Sequence, residues 1–170
     1  MYWFTADEHY GHDNIIKYCN RPFESVKEMD VHIMFLHNEM VKKDDVVIHA
    51  GDFCWCNNMR DMESRYLQHL NGTHVFIRGS HDHWMPNSWH WMWTRTIEGQ
   101  YVVVCHYAMR VWARSHYNSW QLHGHSHGRL EAIGKQYDVG VDNNNFYPVS
   151  WKKIVEIMST RDDNPNLVRK

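Results

Sequence analysis

The chain has 170 residues, 43% of them hydrophobic and 22% charged, a profile that excludes disorder and suits one domain burying about 70% of its unfolded surface. Eighteen lysines and arginines against 20 acids leave a formal charge of −2, which excludes the net positive field that draws a protein tightly to duplex nucleic acid. No run of about 18 apolar residues and no basic, apolar leader occurs, so the expectation is a cytoplasmic protein off the membrane.

Tyr2 to Ala6 is rich in β-formers and reads as a buried strand ending at Asp7. Asn14 to Cys19 makes one or two helical turns, stopped ahead of Pro22. Ser25-Val26-Lys27-Glu28 is a capping box, and Val26, Met29, Ile33, Leu36 and Met40 recur at helical spacing, giving an amphipathic helix of about four turns. Val46 to Ala50 is a second buried strand and runs directly into Gly51-Asp52. Met59, Met62, Tyr66 and Leu70 mark another helix, closed by Asn71-Gly72. His74 to Arg78 forms a third strand, followed by Gly79-Ser80-His81-Asp82. Thr94 to Ile97 and Tyr101 to Cys105 flank a turn at Gly99, and the second of them leads into His106. Trp120 to His123 precedes Gly124-His125-Ser126-His127-Gly128, Tyr137 to Val141 adds one more strand, and Ser150 caps a last helix through about Met158. Residues 1–160 read as one domain and 161–170 as a frayed, polar tail. Strands alternating with helices argue for an α/β fold, whose ligand sites lie beyond the carboxyl ends of the strands.

Histidine is in excess, with 15 residues, and imidazole is the commonest metal-ligating side chain. Five strand exits carry such groups: Asp7-x-His9, Gly51-Asp52, Gly79-Ser80-His81-Asp82, His106, and Gly124-His125-x-His127. A lone histidine or aspartate of this kind is more often a cap or a surface residue; the joint placement is what points to a site. Mixed carboxylate and imidazole donors suit Mn, Fe, Zn or Ni better than a soft copper site or an all-oxygen calcium site. The four cysteines are scattered, and Cys54-Trp55-Cys56 lacks the second pair of a structural zinc site, so they read as free thiols in a reducing compartment.

The order DxH, GD, G-x-H-D, a lone histidine after a strand, then GHxH resembles the calcineurin-like metallophosphoesterase superfamily over residues 1–127. Thr5 to Ile16 and Asp138-Val139-Gly140-Val141-Asp142, with Pro148-Val149-Ser150, are similar to the opening and the end of its small prokaryotic and phage members. The resemblance implies a four-layer α/β/β/α sandwich of two mixed sheets and a pair of divalent transition metal ions. It assigns one ion to Asp7, His9, Asp52 and His127, and the other to Asp52, His106, His125 and position 80. It further implies that His81 stabilises the transition state and protonates the leaving oxygen, while Asp82 hydrogen-bonds the His81 imidazole and fixes its tautomer.

Ser80 stands where the superfamily has asparagine. It binds the second ion through water, leaves it weakly held, or is an inactivating substitution; the sequence does not separate these. His12 and Arg21 are candidates for binding a substrate phosphate or nucleobase, against the plainer reading of a loop histidine and a solvated arginine. His49 and His123 should point to the opposite side of their strands and serve packing. Trp84, Trp89, Trp91 and Trp93, with Trp112 and Trp120, could stack on a nucleobase, although a packed loop or a homodimer interface accounts for them better. The expected activity is metal-dependent hydrolysis of a small phosphoester, a nucleotide-like phosphodiester ahead of a monoester. The alternatives are a catalytically impaired binding scaffold, to which Ser80 points, and a nucleic-acid end-processing nuclease, which the net charge disfavours.

Overall fold

The computed structural model describes residues 1–168. In chain order the elements are β1 (Tyr2–Thr5), α1 (Asp13–Tyr18), α2 (Val26–Met40), β2 (Val46–His49), α3 (Met59–Arg65), β3 (Thr73–Phe76), β4 (Met92–Ile97), β5 (Gln100–Cys105), β6 (Trp120–His123), β7 (Gln136–Asp138), β8 (Val149–Ser150) and α4 (Trp151–Thr160). They build two mixed four-stranded sheets flanked by helices, ordered β3-β2-β1-β8 and β4-β5-β6-β7. β1, β2 and β3 run parallel with Thr5 opposite His49 and His49 opposite Phe76, while β8 returns antiparallel on β1. In the second sheet β4 and β5 form the hairpin about Gly99, and β5, β6 and β7 run parallel.

The continuous apolar reading of β1 and β2 follows from their being covered on both faces. Phe4 and Ile48 pack against Val102, Val104 and Leu122 of the second sheet, whereas Trp3 and Val47, one residue out of phase, pack with Val41 at the end of α2. Full burial of a side chain such as Phe4 or Ile48 contributes roughly 1.5–3 kcal/mol. α2 begins where the Ser25 hydroxyl accepts the Glu28 N–H, and the Glu28 carboxylate reaches back to the N–H of Glu24 rather than of Ser25. Ser150 caps α4 through the N–H of Lys153, and Ile154 and Met158 of that helix are fully buried in the inter-sheet core.

Three sequence expectations change. The helix expected through Leu70 stops at Arg65, because Tyr66 turns inward to stack on Tyr10, 5.1 Å between ring centroids, and a short 3-10 turn follows at Leu67–His69. β7 ends at Asp138, whose carboxylate accepts the N–H groups of Gly140 and Gly128 and so holds a turn. The polar tail is not loose through residue 168. Asn164 is buried and its amide donates to the carbonyls of Ser115 and Ser119, while the Val168 N–H reaches the His116 carbonyl. Residues 169–170 lie outside the described residues.

Candidate metal centre

The two sheets meet at the carboxyl ends of their strands. The Asp7 N–H donates to the Gly51 carbonyl and the His9 N–H to the Asp52 carbonyl, so the chains leaving β1 and β2 stay paired beyond the sheet. The Val141 N–H donates to the Ala6 carbonyl, and that of Gly124 to the His106 carbonyl, joining the end of β1 to the second sheet. Asp7, His9, Asp52, His106, His125 and His127 are thereby brought to one rim from four segments of the chain.

The glycines before these residues are there for close approach. A Cβ on Gly124 would stand 2.6 Å from both the Ala6 Cβ and the Asp7 Oδ2, and one on Gly79 would overlap the backbone nitrogen of Asp52. Asp7, His9, Asp52, His125 and His127 all have φ between 49° and 68°, in the left-handed region that side-chain-bearing residues rarely occupy. Such strain costs about 1–3 kcal/mol per residue and collects where surrounding structure fixes side chains for a purpose.

Two groups of donor atoms result from these residues, each lying within 4.8 Å of one another: Asp7, His9 and His127, and Asp52, His106 and His125; a third, of Cys19, His127 and Asp142, overlaps the first at His127. Asp52 Oδ2 sits between them, 3.7 Å from His9 Nε2 and 3.3 Å from His106 Nε2. Both of those nitrogens are buried without a hydrogen-bond partner among the described residues. The opposite nitrogens are spoken for. His106 Nδ1 donates to the Ala50 carbonyl at 2.9 Å, and His127 Nδ1 to Asp142 Oδ2 at 2.7 Å. His9 Nδ1 lies 3.3 Å from His12 Nδ1. An outer nitrogen tied to oxygen and an inner one bare is the arrangement of a metal-ligating histidine. The chemistry of the donors therefore fits divalent cations.

The charges show the same strain. Burial pushes the Asp7 carboxyl up to about 8, against the pull of His106 and His127. Asp52 is also buried, yet its charge interactions with His106 and His9 and the backbone N–H of His81 hold it well below the usual carboxylate range. Burial disfavours the charged His106 ring, but Asp52 and Asp7 hold it up to about 9; likewise Asp142 holds His127 up to about 10 against burial. His9 is held well below its ordinary value by burial, which keeps its ring neutral and basic toward a cation. Protons on the His106 and His127 rings balance the Asp52 and Asp142 carboxylates.

Ser80 is exposed, with its hydroxyl 3.1 Å from Asp52 Oδ2, beside the second group. The His81 ring stands near the first group, 5.3 Å from His9 and 5.7 Å from His12, while the His81 backbone N–H donates to Asp52 Oδ1 at 2.8 Å. Asp82 departs from the sequence reading. Its carboxylate is fully buried and accepts four N–H groups, from Asp52, Phe53, Gly79 and the Trp84 indole, at 2.8–3.0 Å, leaving no lone pair for the His81 imidazole. It is a clamp that ties the Gly79 turn to the Asp52 turn, with no catalytic contact.

Arg21 departs as well. Its side chain is 0% exposed and spans Asp142 through two hydrogen bonds of 2.8 Å, with further donations to the carbonyls of Asp7 and Glu8. A guanidinium so enclosed faces no substrate; it braces the loop that carries Asp7 and fixes the carboxylate behind His127. His12 remains at the site, its ring stacked on Trp55 at 4.4 Å. The tryptophans singled out in the sequence lie elsewhere: Trp84 and Trp112 are buried in hydrogen-bonded packing, Trp120 stacks on Trp151, and the Arg78 guanidinium covers Trp91. The residues that sequence reasoning left unassigned are Asp142, Trp55 and Tyr107, whose ring meets His106 and His125 edge-on at 4.9 and 4.8 Å. Only Asp142 had a signal, in the Asp138–Asp142 stretch. His49 joins Glu8 and His74 in a buried hydrogen-bonded chain, and His123 Nδ1 reaches the Gly124 carbonyl.

No protein-family model matches the chain. An uncharacterized protein of Methanocaldococcus jannaschii is 30% identical over 92% of this chain and 90% of its own length. The chain belongs to one family with this archaeal protein. Its fold is similar to that of a protein of unknown function from Aquifex aeolicus, with a TM-score of 0.71 and 20% identity over 92% of this chain and 98% of the other. A predicted phosphoesterase from Streptococcus pneumoniae superposes less closely, with a TM-score of 0.46, 13% identity and coverage of 82% and 70%. Among the described residues no helix is long and apolar enough to cross a membrane.

Proposed function

We propose that this protein hydrolyses small phosphoesters, diesters ahead of monoesters, with two divalent transition metal ions. Asp7, His9 and His127 would hold one and His106 and His125 the other, with Asp52 shared and Ser80 beside the second. A pair of such ions lowers the pKa of water toward neutrality and offsets charge on the phosphoryl oxygens. The observation that carries this reading is the pair of buried, unpartnered Nε2 atoms of His9 and His106 on either side of Asp52 Oδ2.

The chain's own groups supply the rest. His9, with Nε2 bare, donates Nδ1–H to His12 Nδ1, which leaves the His12 Nε2–H as a donor for a phosphoryl oxygen. His81, held at the rim through its backbone bond to Asp52, delivers a ring proton to the departing oxygen. Asp142 and Arg21 fix the tautomer and orientation of His127. The test is metal content after loading with Mn, together with hydrolysis of bis-p-nitrophenyl phosphate. Two ions per chain and hydrolysis abolished by chelation are expected; absence of both metal uptake and metal-dependent turnover would refute the proposal.

A further inference from the structure

Trp55 is 46% exposed, an unusual position for an indole next to a buried polar cluster. One face of its ring lies on His12, 4.4 Å between centroids and 19° from parallel. The ring centroids of His81 and His83 lie 5.5 and 6.0 Å from its own. The backbone here is held: Cys54 and Cys56 are buried in the core, and the backbone N–H of Trp55 donates to the Tyr10 carbonyl at 2.8 Å, so alternation along the chain directs Trp55 outward.

His12 in turn meets His9 through their Nδ1 atoms at 3.3 Å, so that Trp55, His12 and His9 form a run of ring contacts from solvent to the candidate metal centre. A hydrophobic cover for His12 needs one indole face, and with 46% of Trp55 exposed the ring still offers surface to solvent. We propose that this exposed indole surface is the platform on which the nucleobase of a nucleotidyl phosphoester stacks, with the phosphate beneath His81 and His12. This rests on the phosphoesterase reading and names its substrate class. Stacking is tolerant of base identity, because every base has a π-face, so the site accepts nucleotides of more than one base.

The test is calorimetric titration of the Mn-loaded protein with adenosine 5′-monophosphate and with ribose 5-phosphate, which needs no turnover. The unmodified protein should bind the nucleotide roughly tenfold more tightly, Trp55→Ala should erase that preference without changing ribose 5-phosphate affinity, and Trp55→Phe should keep most of it. Equal weakening of both ligands would reduce Trp55 to a cover for His12, and an unchanged preference in Trp55→Ala would place the base elsewhere; either overturns the proposal. A preference for p-nitrophenyl phosphate equal to that for the nucleotide would show a general aromatic subsite and overturn the nucleobase assignment. Metal uptake and hydrolysis of bis-p-nitrophenyl phosphate by the unmodified protein decide the phosphoesterase reading separately.

Discussion

Replacing Asp142 by asparagine tests the bracing of the site away from its ligands. Asp142 Oδ2 receives both His127 Nδ1 and the Arg21 guanidinium, and Oδ1 receives Arg21 Nε. Burial opposes ionisation of Asp142, but His127 and Arg21 hold it down to about 2, so the carboxylate is charged at every working pH. An amide of the same size removes that charge and leaves Arg21, with a side chain 0% exposed, as an uncompensated buried cation. Breaking a buried pair from one side costs about 3–5 kcal/mol. For a chain of this length each kcal/mol lowers the melting temperature by roughly 2–4 °C, so Asp142→Asn should melt about 6–20 °C below the parent. His127 also loses its anchor, and metal affinity should fall about 10–100-fold. Arg21→Met added to Asp142→Asn should recover part of the stability by removing the stranded charge, but not all of it, because the Asp7 and Glu8 carbonyls lose their donor. Thermal melts and Mn titration of the three proteins read these quantities. An Asp142→Asn protein that melts with the parent and binds Mn equally well would refute the bracing argument.

Ser80→Asn replaces a hydroxyl by a longer amide carbonyl donor beside Asp52, and should raise second-ion affinity or turnover about tenfold or more; unchanged stoichiometry and rate would show that position 80 holds no metal. Gly124→Ala should abolish Mn binding, since its methyl group would meet the Asp7 carboxylate and Ala6 at 2.6 Å, and retained Mn binding in a folded variant would contradict the close approach. Acid should weaken the fold partly through His37, which burial holds down to about 4 although the Asn71 carbonyl receives its Nε2. The unfolded chain binds that proton near the ordinary 6.5, so between pH 6.5 and 4 unfolding is favoured as pH falls, by on the order of 3 kcal/mol from this ring. His37→Gln, which keeps a donor for Asn71, should flatten the pH dependence of urea unfolding by about one proton in that window; identical slopes would exclude His37 as the source.

The sequence determined, β7 and β8 apart, where the strands end to within two residues and which carboxylate and imidazole donors follow them, because both signals are local. Apolar runs such as Val46 to Ile48 fix a strand, and a glycine followed by aspartate or histidine fixes an exit. The capping serines at 25 and 150 were legible for the same reason, each acting on an N–H three residues away. What surrounds the ligands was not legible. Arg21 and Asp142 are 121 residues apart, and Asp82 reaches the Asp52 amide from 30 residues away, so their roles appear only when the sheets dock. Proximity to a motif suggested substrate contact for Arg21, and the family resemblance implied imidazole contact for Asp82, but folding enclosed each among partners that took up its hydrogen-bonding capacity. Trp55 was overlooked because nothing in a Cys-Trp-Cys triplet says which residue faces outward. A residue's type can be read along the chain, whereas the group that saturates it, or leaves it bare, is chosen by packing between segments with no local sequence relation.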